Sequence, residues 1–294
     1  MDRRLLLQSL RLRFCVLAGL LCHATNTSAF PPAPYYTLFG MVRDQVGQTI
    51  TAEGAEIVLL RNGIEVGRTP IHSGSQLDQN YELNVRIDQN RSGTKLYTEK
   101  AVTAQGLFSI AVEMNGARYF PIEAAGNLTA GNGAERVRLD LNLGEDSDGD
   151  GLPDIWEQWQ LFQAGYQADG NGNWPLDLID RDGDFDRDGQ SNWREYVAGT
   201  FAGDATEKFD MEIKAKVGRT LRFEFYAIAG KTYTIESSID GETWTRVVFG
   251  IGTAVGGPFD RLTEKTYRAE KVGIVSAFAT ETAPKSELFR LTVR

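Results

Sequence analysis

Two stretches of this chain place an acidic residue at every second position and then a glycine. Asp146, Asp148 and Asp150 precede Gly151, with Glu157 closing the frame. Asp184, Asp186 and Asp188 precede Gly189, with Glu195 closing it. Three carboxylates turned to one side repel one another at a few ångströms unless something gathers them. The glycine lets the backbone bend back sharply after them. A hard cation that takes six to eight oxygens uses this arrangement: spaced acids, a glycine turn, a backbone carbonyl and a late bidentate glutamate. On that frame the first loop offers Asp146, Asp148, Asp150, the carbonyl of Leu152, Asp154 (through a water) and Glu157. The second offers Asp184, Asp186, Asp188, the carbonyl of Gln190, Asn192 and Glu195. The expected ion is calcium, because magnesium keeps its waters and seldom enters an all-protein cage of this size. An acidic solvated linker is the competing reading, and two complete frames in one short segment weigh against it.

Neighbouring residues extend the pattern less completely. Asp180 and Asp182 continue the alternate-acid ladder ahead of the second loop and are candidates to share a third ion with Asp184. Asp169, Asn171 and Asn173 imitate the frame, but Trp174 stands where the glycine belongs, so this stretch reads as a turn. A short helix is expected after each loop. From Asp154 to Ala164, Ile155, Trp156, Trp159 and Phe162 read as one apolar face, and Gly165 ends the helix. Trp193, Tyr196 and Val197 repeat the spacing, with Gly199 as the stop. The two aromatic faces are expected to pack on each other. Helices this short are marginal alone, so metal binding and folding should be coupled.

The loops resemble EF-hands in their loop and second helix only. VRLDLNLG ahead of the first loop alternates like a strand, and position eight carries Pro153 in one loop and Ser191 in the other. The string DSDGDGLPD is similar to thrombospondin type 3 repeats and dockerin-type calcium loops, a resemblance covering about residues 145–204. It implies a calcium-binding segment of a secreted multi-domain protein. The dockerin side of it implies an assembly subunit with the helix faces as its docking surface.

Both flanks read as β structure. Tyr36 to Val42, Glu56 to Leu60, Tyr81 to Ile87, Leu107 to Val112 and Val137 to Leu143 are strand-like, with Asn62-Gly63 a hairpin candidate. LFGMVRDQVGQTI followed by GAEIVLLRNG resembles transthyretin-like or carboxypeptidase-regulatory-like sandwiches. On the other side, Met211 to Ala215, Leu221 to Tyr226, Thr232 to Ser237, Thr243 to Val248 and Leu288 to Val293 are strand-like. YTIESSIDGETWTRV is similar to a fibronectin type III hairpin. The expected fold is therefore mainly β: two antiparallel β-sandwich-like domains flanking a small calcium-binding loop–helix module. The divisions are a signal peptide at 1–29, a sandwich at 30–144, the calcium module at 145–205 and a C-terminal β domain at 206–294.

Residues 1–29 carry Arg3, Arg4, Arg11 and Arg13, a short apolar core from Phe14 to Leu21 and a Thr27-Ser28-Ala29 cleavage pattern, which reads as a secretory leader. Both cysteines, Cys15 and Cys22, fall inside it, so no disulfide or thiol chemistry is expected afterwards. The chain has 31 basic and 40 acidic residues. Without the four arginines and one aspartate of the leader, 27 bases face 39 acids, a net charge of −12. Residues 141–196 alone hold 14 acids against Arg181, Arg187 and Arg194. The acidity is local, matches a cation and excludes nucleic acid, which needs a basic face.

His72 is the single histidine after the leader and reads as a polar turn residue. No nucleophile-elbow pattern surrounds a serine, and the carboxylates are committed to metal, so no enzyme is expected. Tyr35, Tyr36, Tyr97 and Tyr119 suit a sandwich core or edge better than a glycan surface, and Trp244 suits a cross-strand core. The expectation is a secreted (extracellular or periplasmic) structural or binding protein, free of the membrane once the leader is cleaved, in which calcium orders the joint between two β modules. Its further partner is a protein or a glycan. The alternatives are a dockerin-like assembly subunit and a carbohydrate-binding accessory protein of an extracellular hydrolase system.

Overall fold

Period-two burial sets the architecture on both sides of the acidic segment. The structure, a computed structural model, describes residues 34–72, 79–88, 98–252, 260–261, 265–282 and 287–294. The expected leader and Tyr97 lie outside the described residues. The fold is mainly β, with two short α-helices in the acidic segment.

The N-terminal module is built on β1 (Tyr36–Gly40), β2 (Glu56–Arg61), β3 (Ile64–Pro70), β4 (Tyr81–Val85) and β5 (Leu107–Met114). Strand β1 pairs antiparallel with β4, placing Leu38 opposite Leu83. Strand β2 lies between β3 and β5, antiparallel to both. The β2–β3 turn has Asn62 at φ 51° and Gly63 at φ 75°, the left-handed pair that a tight hairpin needs. Leu38, Leu83 and Val85 share one buried cluster with Ile57, Leu59, Ile110 and Val112. The other face of β2 buries Val58 and Leu60 with Ala111, so that strand is covered on both sides.

Not all pairing here is antiparallel. Strand β1 runs parallel to Arg136–Arg138, and Val42–Arg43 runs parallel to Leu141–Asn142. The second pair stitches the residues just ahead of the first acidic loop into the N-terminal module. Of the tyrosines, Tyr36 is in the core, while Tyr35 and Tyr119 are exposed.

The C-terminal module has β6 (Glu212–Val217), β7 (Thr220–Ala227), β8 (Thr232–Ser238), β9 (Phe249–Ile251), β10 (Gly273–Thr280) and β11 (Leu288–Val293). One sheet runs β6–β7–β10–β9, and the other joins β8 to β11 and to the short pair Thr245–Arg246. Phe223, Phe225, Tyr233, Ile235, Phe249 and Ala277 fill the core.

Two expectations need correction. The strand expected over Thr243 to Val248 shrinks to Thr245–Arg246, because the Asp240 carboxylate accepts the Glu242 and Thr243 amides and holds a turn. Trp244 is half-buried outside the core, with the Arg290 guanidinium 4.2 Å over its ring.

Tyr35–Arg294 form one compact unit. The acidic segment has its own buried cluster around Trp156 and Tyr196, but its Ala198 joins the C-terminal core. Among the described residues, no helix is long and apolar enough to cross a membrane.

Candidate metal centre

The two acidic frames fold into the same loop. In the first, Asp146 accepts the Gly149 amide at 2.8 Å and the Gly151 amide at 3.1 Å. Asp150 accepts the Leu152 amide at 2.7 Å. In the second, Asp184 accepts the Asp188 amide at 3.1 Å and the Gly189 amide at 2.9 Å, and Asp188 accepts the Gln190 amide at 2.7 Å. Gly151 and Gly189 both sit at φ 97°, a left-handed conformation that costs a side-chain-bearing residue and is open to glycine.

In each loop an oxygen from each of the three aspartates falls within 4.8 Å of the others: Asp146, Asp148 and Asp150 in one, Asp184, Asp186 and Asp188 in the other. Each set can hold a metal ion.

A helix follows each loop and carries the closing acid inward. Helix α1 (Asp154–Gln163) begins after Pro153, and α2 (Asn192–Ala198) after Ser191, whose hydroxyl accepts the Arg194 amide. Glu157 and Glu195 are both 0% exposed, and none of their four carboxylate oxygens has a hydrogen-bond partner. Burial first, then the adjacent Asp148 and Asp150, push the Glu157 carboxyl up to about 9. Burial, then Asp186 and Asp188, push Glu195 up to about 8. Asp148, Asp150 and Asp186 are raised as well, again chiefly by burial. A buried carboxyl with no donor is costly, and two such groups beside like charges form a pattern that a divalent cation neutralises. Gln190 is likewise buried with its side-chain oxygen unpartnered.

Other candidate residues take different places. The Asp154 carboxylate accepts from the Ser147 amide, 2.7 Å away, and from the Ser147 hydroxyl. The Asn192 side-chain oxygen accepts from the Phe185 amide at 3.1 Å. Both side chains brace their loops across position two. Asp180 and Asp182 fall outside both triads, with Asp180 accepting the Asp182 amide at 2.9 Å in its own turn. Asp169 accepts the amides of Asn171 and Asn173 and closes a separate turn.

Comparison with family models, with curated proteins and with solved structures finds no match to this chain.

Two residues that reach the loops from outside their frames are invisible to spacing rules. The Arg181 amide, just ahead of the second frame, donates to Asp150 of the first at 2.6 Å. Lys208 donates to the Asp188 carbonyl at 2.5 Å and lies 3.6 Å from its carboxylate. Each reaches the site through the fold, and no local motif marks either.

The helix faces differ from expectation. Trp156 is buried and meets Tyr196 edge-on at 5.5 Å, but Ile155, Trp159 and Phe162 are exposed. The closing acid explains this. Glu157 must point into the loop, and that rotation turns Trp156, Gln160 and Leu161 inward with it. Gln160 then accepts the Ala202 amide at 2.9 Å. The stripe at Ile155, Trp159 and Phe162 is left facing outward.

Proposed function

We propose that this is a secreted calcium-binding structural protein in which two ions order the joint between two β modules. One observation carries the reading: in both loops a fully buried, unpartnered glutamate lies against a triad of aspartates. All-oxygen donor sets of this size suit calcium, and zinc prefers nitrogen and sulfur. The first ion would be held by Asp146, Asp148, Asp150, Glu157 and the Leu152 carbonyl. The second would be held by Asp184, Asp186, Asp188, Glu195 and the Gln190 carbonyl. Asp154 and Asn192 would act through water, since their oxygens are already engaged with the loop. The leader-like residues 1–29 support export, and calcium-rich surroundings suit affinities of about 10⁻⁴ to 10⁻³ M. Titrating calcium into chelator-treated protein in a calorimeter should show two sites. Absence of binding heat and of bound metal at millimolar calcium would sink the proposal.

The exposed stripe of Ile155, Trp159 and Phe162 favours a second reading, the assembly subunit, in which α1 is a docking face. Replacing Trp159 and Phe162 by serine would then leave calcium binding unchanged and abolish assembly.

A further inference from the structure

Three turns meet at the C-terminal end of α2: residues 44–48, 196–199 and 228–231. A glycine stands at each of two close approaches. A Cβ at Gly47 would lie 2.4 Å from the Tyr196 carbonyl oxygen, and one at Gly199 would lie 3.0 Å from Lys231 Cε. Both glycines are left-handed, at φ 76° and 81°.

Lys231 fills the space between the turns. It is 1% exposed, and its Nζ donates to the Gly47 carbonyl at 2.6 Å and to the Val197 carbonyl at 2.7 Å. Its own turn is tied into the C-terminal module, because the Ala269 amide donates to the Lys231 carbonyl at 2.9 Å. One side chain thus bonds the N-terminal module and the metal module from a base in the C-terminal one. Burial first, then the nearby Arg43 guanidinium, lower the amine to about 7, with Asp44 acting the other way. Charged or neutral, it has a donor for each carbonyl.

We infer that Lys231 is the relay through which ion binding at the second loop tightens both β modules onto the centre. The inference rests on the calcium reading above. The Val197 carbonyl belongs to the last turn of α2, where carbonyls lack a partner inside the helix. It holds its place only while α2 is wound. The helix has seven residues, too few to persist alone, and Glu195 ties it to the ion. Unwinding α2 removes one acceptor from a buried amine, a penalty comparable to a lost buried hydrogen bond. The junction with Gly47 loosens in consequence. By linkage, holding Lys231 in place favours the ion-bound loop to the same degree.

Two measurements on the full chain without its leader test the relay. In wild-type protein, acylation of Lys231, followed by mass spectrometry, should be about tenfold slower in calcium than in chelator, because reaction needs local opening. Equal rates overturn the relay. In Lys231→Met, which keeps the stem and removes the donors, exchange of the Gly189 and Gln190 amides should still slow with calcium. The Gly47 and Gly230 amides, slowed about tenfold in the wild type, should lose that response. Persistence of the Gly47 and Gly230 response in the variant also overturns the relay. If Gly189 and Gln190 do not respond even in the wild type, the calcium reading fails, and the relay fails with it.

Discussion

The Tyr196 hydroxyl donates to the Asp44 carbonyl oxygen 2.8 Å away. The residue that follows the closing acid of the second loop is therefore anchored in the N-terminal module. Its ring also lies edge-on to Trp156, which precedes the closing acid of the first loop. Tyr196→Phe keeps the ring contact and removes the bond, and should cost about 1 kcal/mol of stability. Denaturant midpoints in saturating calcium check this; an unchanged midpoint would show that the bond is dispensable.

The two triads predict separable sites. Asp148→Ala and Asp186→Ala should each remove one ion, because each takes away a charge and an oxygen that no neighbour supplies. Asp169→Ala should leave the count at two, since that carboxylate is occupied by its own turn. Calcium stoichiometry of the three variants decides it, and loss of a site in Asp169→Ala would contradict the assignment.

Much of the site was legible because it is local. The spacing of the acids within each loop is a property of consecutive residues, so the aspartates and late glutamates of the candidate site are legible without the fold. The long antiparallel strands of the N-terminal module were legible through alternation, as in Tyr81–Val85. Strand β10 is not legible by alternation, because its inward positions include Ala277 and Ala279, small residues with weak strand preference. The orientation of α1 was not legible either. Its best apolar stripe faces outward, and its buried face carries Glu157 and Gln160 for reasons that only the loop and Ala202 reveal. Arg181, Lys208 and Lys231 reach their partners through tertiary folding.

The orientation of α1 has a direct consequence for stability. Trp156→Ala empties a buried position and should cost about 3–5 kcal/mol. Trp159→Ala, on the exposed stripe, should cost no more than about 0.5 kcal/mol. Thermal unfolding of the two variants in calcium checks the contrast. Equal losses would mean that the outer stripe is packed.

Protonation should compete with the ion. With the module closed and no ion bound, Glu157 and Glu195 rise from an ordinary 4.5 to about 9 and about 8. The folded state then binds protons that the unfolded chain has released. The contribution of these two groups to holding the metal-free module closed should therefore be fullest below about pH 4.5 and be lost as pH rises toward 8–9. Calcium needs both carboxylates ionised, so binding at pH 7 should expel about one proton per site and tighten as pH rises. Calorimetry in buffers of different ionisation enthalpy counts these protons, and a count of zero would contradict the buried-acid account.

Hydrogen exchange with calcium and with chelator tests the central claim most directly. At a hundredfold excess over the dissociation constant, one ion adds about 2.7 kcal/mol, a large share of what two short helices hold by burial. With calcium, the amides of Gly151, Leu152, Gly189 and Gln190 should be protected. In chelator, exchange should become fast across about residues 145–199 and in the adjoining turns at 44–48 and 228–231. Strand interiors such as Ile57–Leu59 and Phe223–Phe225 should stay slow in both. Equal protection of residues 145–199 in the two states would contradict the account, because the acidic module would then fold on its aromatic core without the ion.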